Sequence, residues 1–526
     1  MESYGILSIV PPVTAITLAF ATKQVLPSLF ISIWVGASIV NHGNPFAGFA
    51  YTIQDYIAGS IAQPWNAAII TYSLTLGGMI GIITKSGGIR AVADSIARKA
   101  RTARSGQLAT LLMGFIIFFD DYANTLLVGN TMRPLTDKLR ISREKLAYIC
   151  DSTAAPISSM ALISTWTAYE MGLIKSAFET ISVDMNVYKA FLLSIPFRFY
   201  SIIALFFVGA VVFFGRDFGP MLRAERRARA TGKVIADGSI PLASKELTDM
   251  KIKAGIPLRW FNALIPVITV VLMVCAGLYL HGYREIISGD NSELVTAIRE
   301  HPLSISTVRD CIGHANAAVA MMWAAFTGTL AALVLVVFQR ILTLKEAVDA
   351  WIEGAKSFII AVMILVLAWG IGTLCKDMGT ASFMVGLLEG RVNPAFIPVM
   401  VFIVGCIIAF ATGTSYGTAA IVMPIAVPLS YHLSGGNTGG LLFATIGAVF
   451  TGAVFGDHCS PISDTTIMSS MACASDHIDH VKTQMPYAVI VAICAVITGF
   501  IPAGFAVSPL ISLLLGIGMA WCVVRF

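Results

Sequence analysis

The chain has 526 residues, of which 56% are hydrophobic and only 12% charged, with a mean hydropathy of +0.80. This composition excludes a water-soluble globular protein and points to a polytopic chain whose partner is a lipid bilayer. The net charge of +5 is gathered in short segments between apolar stretches, a pattern of cytoplasmic loops rather than of nucleic-acid binding, and the nine cysteines show no CxxC or paired pattern that would indicate disulfides or zinc.

The chain opens with Met1-Glu-Ser-Tyr, which lacks a basic start, and its first apolar stretch, 5–22, runs directly into a second, 24–41. Both read as spans rather than as a cleaved signal peptide. Basic clusters at 90–104 and 133–145 are cytoplasmic by the positive-inside rule. The apolar stretch 105–132 between them must therefore cross an even number of times or only dip in, and it is too short for two spans of ~20 residues each. A re-entrant hairpin from the cytoplasm, with Asp120, Asp121, Asn124 and Thr125 at its tip, is the economical solution.

An outward span over 146–172 follows, interrupted by Asp151-Ser-Thr-Ala-Ala-Pro-Ile-Ser158, and 190–215 returns to the cytoplasm. The basic segment 216–258 reads as a solvated, partly helical cytoplasmic linker. Spans at 259–281, 314–340 and 357–375 continue the count. A second hairpin, 395–432, is broken at Thr412-Gly-Thr-Ser-Tyr-Gly-Thr418 and re-enters from outside. The span 440–470 then runs inward and contains Asp457-His-Cys-Ser-Pro-Ile-Ser-Asp464, and 508–526 is a terminal span. Under this count Glu170, Glu179, Asp184 and the segment 282–313 are loop polarity on the outside, with His314 and Asn316 interfacial.

The two halves align. Leu76-Gly-Gly-Met-Ile-Gly81 resembles Trp369-Gly-Ile-Gly372, Phe118 to Thr125 falls over Phe410 to Gly417, and Pro156-Ile-Ser158 falls over Pro461-Ile-Ser463. The charge rule orients these halves oppositely without reference to the alignment. The expected fold is an all-α polytopic membrane protein of two inverted-topology repeats, 1–215 and 259–507, each with a re-entrant hairpin and a broken helix. The total is about 11 full spans plus two hairpins, the plan used for alternating access.

Acidic side chains at lipid depth cost ~2.5–3.5 kcal/mol each on insertion scales, so Asp120, Asp121, Asp151, Asp457 and Asp464 call for an explanation: a site that exchanges a cation for a proton or, for Asp120 and Asp121, a place at the interface where they are solvated or cap a helix. Proline lacks the backbone donor, so Pro156 and Pro461 each free a carbonyl about one turn earlier, beside Asp151 and Asp457. Those carbonyls, with Ser152, Thr153, Ser158, Ser460, Ser463, Thr465 and Thr466, are candidate ligands for a sodium ion, placed foremost on Asp457, Asp151 and Asp464. The bland reading of each hydroxyl is a bond back to its own helix. Thr412, Thr414 and Ser415 at the neutral tip are candidates for an anion or for cation-binding carbonyls, or else small residues for helix packing. His458 is a proton relay or merely a hydrogen-bonded imidazole. Arg198 pairs with one of the site carboxylates or snorkels to the interface.

Phe118-Phe-Asp-Asp-Tyr-Ala-Asn-Thr-Leu-Leu-Val-Gly129 together with Gly456-Asp-His-Cys-Ser-Pro-Ile-Ser-Asp-Thr-Thr466 resembles the NhaC family of sodium/proton antiporters. The resemblance spans roughly Trp65 to Met485. It implies a multi-pass secondary transporter of a bacterial or archaeal inner membrane, driven by sodium and proton gradients, with no cofactor. The family also includes carriers that exchange small organic acids, so the resemblance leaves the substrate open.

Two mechanisms follow. In the first, sodium and protons compete for the same carboxylates, since burial favours the protonated form and a cation the ionised one. In the second, sodium or proton binding drives a small organic acid or amino acid, held by the neutral tip and Arg198. Paired broken helices also occur in channels, but inverted repeats with titratable groups at the centre favour alternating access, and nothing assigns the His, Asp and Ser near 457–464 the spatial roles of an enzyme's triad. Association of two copies into a homodimer is left open.

Overall fold

The computed structural model describes every residue except 1–3, 23, 98–99, 119, 242–254, 290–291, 303, 357, 381–382, 384–391, 462 and 526. Regular structure among the described residues is helical, apart from one isolated bridge between Pro241 and Asp476. That is what lipid demands, because a backbone without water must satisfy its own hydrogen bonds. The principal helices in chain order are α1 (Val10–Thr22), α2 (Val25–Val40), α3 (Pro64–Lys85), α4 (Ala103–Ile116), α5 (Asp121–Lys138), α6 (Arg143–Thr153), α7 (Thr165–Thr180), α8 (Phe199–Phe214) and α9 (Gly219–Thr231). They continue as α10 (Phe261–Ser288), α11 (Ala317–Phe338), α12 (Ile359–Asp377), α13 (Ile397–Thr412), α14 (Ser415–Leu433), α15 (Gly440–Cys459), α16 (Asp464–Ala472), α17 (His477–Cys494) and α18 (Pro509–Arg525).

Among the described residues six helices are each long and apolar enough to cross a bilayer alone, and the pair Leu26–Val40 and Pro45–Ala62, bent by 119°, makes a seventh if taken as one span. Much of the remaining apolar sequence is divided into shorter arms, and the divisions fall where the polar motifs stand. Hairpin α4–α5 turns between Ile116 and Asp121, and hairpin α13–α14 turns at Gly413, whose φ of +69° is the left-handed conformation that suits glycine. Thr414 then caps α14, accepting from the Gly417 amide. The broken helices stop at their prolines. α6 ends before a single turn containing Pro156, and α7 restarts with Ser164 as its cap. Likewise α15 ends ahead of Pro461, and α16 restarts with Ser463 as its cap.

Packing relates the two sets of elements reciprocally. α16, the second arm of the later broken helix, lies against α5 of the first hairpin, and α7, the second arm of the earlier one, lies against α14 of the second hairpin. Each hairpin also packs on the broken helix that follows it, α5 on α6 and α13 and α14 on α15. The α13–α15 contact is tight: a Cβ placed on Gly456 would lie 2.3 Å from that of Ala409. On another side α3, α10, α11 and the amphipathic helix Leu344–Lys356 pack together.

Three details differ from the sequence expectation. Residues 45–62 are helical and sharply bent against α2, whereas no element is expected there. The described part of the linker is partly helical, as expected, with exposed residues along it, but one face is docked on the protein rather than solvated. Its helix α9 buries Glu225, which accepts from the Ser142 amide at 2.8 Å, while Lys145 meets Asp217 at 2.6 Å and Ile240 N donates to Asp476 Oδ2 at 2.9 Å. Residues 242–254 of the linker lie outside the described residues. Finally, Glu170 is no loop residue but is fully buried on α7. A loop count based on hydropathy cannot see that an acid is neutralised inside the protein by a distant arginine.

Candidate functional site

Asp457 occupies the last turn of α15, fully buried, where the two proline-broken helices and the second hairpin meet. Ser463 donates to its Oδ1 at 2.5 Å, while Thr465 and Ser415 donate to Oδ2 at 3.1 and 3.2 Å. These hydroxyls come from the start of α16 and the start of α14, so the side chain reads the positions of both breaks at once. The carbonyl of Asp457, left without a helical donor by Pro461, accepts instead from Thr466 Oγ1 at 2.9 Å. This corrects the expectation of an open carbonyl ligand at that position, because the hydroxyl one turn into α16 reaches it first.

The same Thr466 hydroxyl lies 3.2 Å from Asp151 Oδ2, placing one side chain between the Asp151 carboxylate and the Asp457 backbone carbonyl. Asp151, on α6 and 2% exposed, also accepts at Oδ2 from Gln484 Nε2 at 2.6 Å and faces His480 Nε2 at 3.3 Å. His480 and Gln484 stand on α17 and are fully buried. The sequence expectation omits both. The one available signal is their i, i+4 spacing, which puts both on one face of α17, but the same half of the helix also carries His477, Asp479, Lys482 and Thr483, so the pair does not stand out from its surroundings.

His458 sits between Tyr200 Oη, 2.7 Å from Nδ1, and Ser152 Oγ, 3.0 Å from Nε2, with the Tyr148 ring stacked alongside. Ser152, Asp151, Asp457, His458, Ser463 and Ser415 are thus brought into one connected network. Ser460 Oγ donates instead to the Phe410 carbonyl at 2.7 Å and fastens α15 to α13. Asp464 opens α16, but its side chain lies outside the described residues.

The acidic tip forms a neighbouring group. Asp120 and Asp121 are 3% and 2% exposed, and Thr165, at the start of α7, donates to Asp120 Oδ2 at 3.2 Å. Tyr416 from the opposite hairpin lies within electrostatic reach of both acids and against Trp166 and Tyr169, with ring centroids 4.8 and 4.2 Å away. Tyr169 Oη donates to the Tyr416 carbonyl. The two hairpin tips therefore face one another across α7. Asn124 works as a tie, its amide nitrogen within 3.0 Å of the carbonyls of Gly114, Ile117 and Thr153.

Other candidate hydroxyls turn away from the network. Thr125, Thr153 and Thr412 each bond back to the helical carbonyl four residues earlier, at 2.9, 2.8 and 2.8 Å. Thr414 serves as a cap, and Ser158 lends its carbonyl to Ser164 at 2.7 Å. Arg198 takes neither course expected for it. Its guanidinium forks onto Glu170, Nη1 to Oε1 at 3.0 Å and Nη2 to Oε2 at 2.6 Å, above the Phe450 ring.

Comparison with known proteins agrees with this architecture. Over 515 residues, 97% of this chain and 92% of the other, the sequence is 33% identical to an uncharacterized protein of Haemophilus influenzae. It is 33% identical over 168 residues, 30% of this chain and 34% of the relative, to a malate-2H(+)/Na(+)-lactate antiporter of Bacillus subtilis. In three dimensions it resembles MtrF of Neisseria gonorrhoeae, an efflux pump, with a TM-score of 0.53 at 12% identity, covering 91% of this chain and 84% of that one; the likeness is one of fold. The model of the Na+/H+ antiporter family matches residues 157–504, which include the Gly456 to Thr466 motif but begin after the acidic tip. The chain is a secondary transporter of the membrane and belongs to the Na+/H+ antiporter family.

Proposed function

We propose that this protein exchanges sodium for protons across a bacterial or archaeal inner membrane by alternating access, with Asp151 and Asp457 as the shared binding groups. The observation that carries this reading is the company these acids keep. Buried Glu170 and Asp217 each hold a permanent cation, Arg198 and Lys145, at 2.6 Å. Asp151, equally buried, meets a hydroxyl, an amide and an imidazole. A carboxylate at this depth without a resident lysine or arginine is neutralised by whatever mobile cation reaches it, a proton or a sodium ion. Occupancy by one excludes the other, and that is the coupling an exchanger needs. Each pH unit across the membrane then supplies about 1.4 kcal/mol per proton to move sodium.

In this reading the chain's own residues hold the cargo and need no cofactor. Asp457 and its hydroxyls register the positions of α14 and α16, so a change in its occupancy is felt by the second hairpin, while Thr466 passes it to Asp151. Asp120 and Asp121 face the same region from the first hairpin and are proposed as a further cation-attracting pair.

A second reading, coupled carriage of a small organic acid or amino acid, is favoured by the aromatic group Trp166, Tyr169 and Tyr416 beside two acids, which offers an organic amine a face. It is disfavoured for a dicarboxylate by the engagement of Arg198 with Glu170. The deciding experiment uses purified protein in liposomes with an internal pH dye and an imposed proton gradient. Sodium alone is expected to dissipate the gradient, and Asp457→Asn to abolish that response while the protein stays folded. Dissipation only when an organic solute is added would replace the first reading by the second.

A further inference from the structure

Gln484 leaves a buried oxygen unaccounted for. Its Nε2 is engaged twice, by Asp151 Oδ2 at 2.6 Å and by the His458 carbonyl. Both partners are acceptors, so the amide's orientation is set: the nitrogen faces them and Oε1 points elsewhere. That oxygen is buried and has no hydrogen-bond partner among the described residues. The same holds for Nδ1 of His480, one turn earlier on α17 and also beside Asp151. An unsatisfied buried polar atom costs roughly 1–3 kcal/mol. Two of them on successive turns of one helix, against one carboxylate, are more than a single packing defect.

Covalent geometry limits where the oxygen lies. The N and O of a planar amide are ~2.2 Å apart, so Gln484 Oε1 is within roughly 5 Å of Asp151 Oδ2. Two oxygens that share a hard cation at ~2.3–2.6 Å each stand within that separation. The three polar partners of Asp151 all fall on Oδ2, and among the described residues no donor meets Oδ1. We infer that Gln484 is a cation ligand: its side-chain carbonyl and Asp151 together bind the transported sodium, so that α17, outside the hairpins and broken helices, supplies part of the site. This inference rests on the antiport reading and adds to it a residue that sets affinity and selectivity for a small hard cation. The donor half of the same amide joins Asp151 to the break after α15, so a cation held there bridges both broken helices.

The test measures sodium-dependent proton flux in proteoliposomes over a range of sodium concentrations, alongside the sodium-induced rise in melting temperature of the detergent-purified protein. Gln484→Met removes the oxygen and is expected to raise the half-saturating sodium concentration, in both measurements, by at least about tenfold. Gln484→Glu, sharing one proton with Asp151 in place of the amide donor, keeps an oxygen at that position and is expected to stay within about threefold of the unsubstituted protein. An unchanged half-saturation in Gln484→Met would overturn the inference, the oxygen then holding a water at most. A loss of maximal rate in both variants at unchanged sodium affinity would also overturn it, leaving Gln484 to position Asp151. Absence of any sodium response in the unsubstituted protein would instead remove the antiport reading beneath it. Should Gln484→Met fail to fold, Gln484→Asn, one methylene too short, is read in the same way.

Discussion

Arg198 and Glu170 meet through two parallel hydrogen bonds, and neither side chain has exposed surface. Arg198 stands where a short turn passes into α8, and Glu170 is on α7, so the pair fastens the second arm of the first broken helix to the helix that returns across the membrane. An ion pair at this depth recovers little net energy, because both charges are desolvated, yet removing one partner strands the other and costs about 3–5 kcal/mol. Glu170→Gln or Arg198→Ala should therefore lower the melting temperature sharply. The double replacement Glu170→Leu with Arg198→Met should recover most of the loss. If the double variant regains its stability and still exchanges sodium for protons, the pair is structural. If stability returns without transport, Arg198 belongs to the substrate path and the organic-anion reading gains ground.

At the scale of the element, one asparagine does much to define the first hairpin. Asn124 gathers the carbonyls of Gly114 and Ile117, which the end of α4 and the turn leave without helical donors, and adds that of Thr153 at the end of α6. Replacing it with alanine leaves those acceptors unmet, at about 1–3 kcal/mol for a buried group. Asn124→Ala should destabilise the protein by that order and slow transport more than sodium binding, since it frees the hairpin from α6 without touching Asp151 or Asp457. A variant with normal stability and normal turnover would show that the tie is dispensable. The breaks that make these elements were legible in the sequence, because proline, glycine and paired polar residues at lipid depth interrupt a helix and are tolerated only where the freed backbone is buried in protein or lines a cavity. Gly413 turns the second hairpin and Pro461 stops α15 where the motifs stand. What α17 contributes was not legible in the same way. His480 and Gln484 belong to no motif, and their partner Asp151 is more than 300 residues away in sequence. Arg198 shows the same gap: its depth could be read, but the choice of Glu170 over Asp151 is made by packing. The docked face of the linker is a third case, since α9 reads as basic and polar while its buried positions, such as Glu225, become visible only against Ser142.

For the molecule as a whole, the reciprocal contacts of α7 with α14 and of α16 with α5 fit two repeats that exchange arms, and the charge rule requires those repeats to point in opposite directions. That inversion is a proposal with a direct test. Lys233 and Glu300 are both exposed, and among the described residues between them α10 is the one helix long and apolar enough to cross a bilayer. The two positions should therefore lie on opposite sides of the membrane, Lys233 in the cytoplasm. With the exposed Cys275 and Cys522 replaced by serine, single cysteines at 233 and 300 are probed with a membrane-impermeant maleimide, on intact cells and on inverted vesicles. Cysteine 300 should label from outside the cell and cysteine 233 only from the inverted side. The second hairpin then enters from outside while the first enters from the cytoplasm, and the facing tips, Asp120 and Asp121 on one and Tyr416 on the other, are reached from opposite compartments. Labelling of both positions from one side would place the halves in parallel. The tips would then open to the same compartment, and alternating access would need a different moving part from the hairpins.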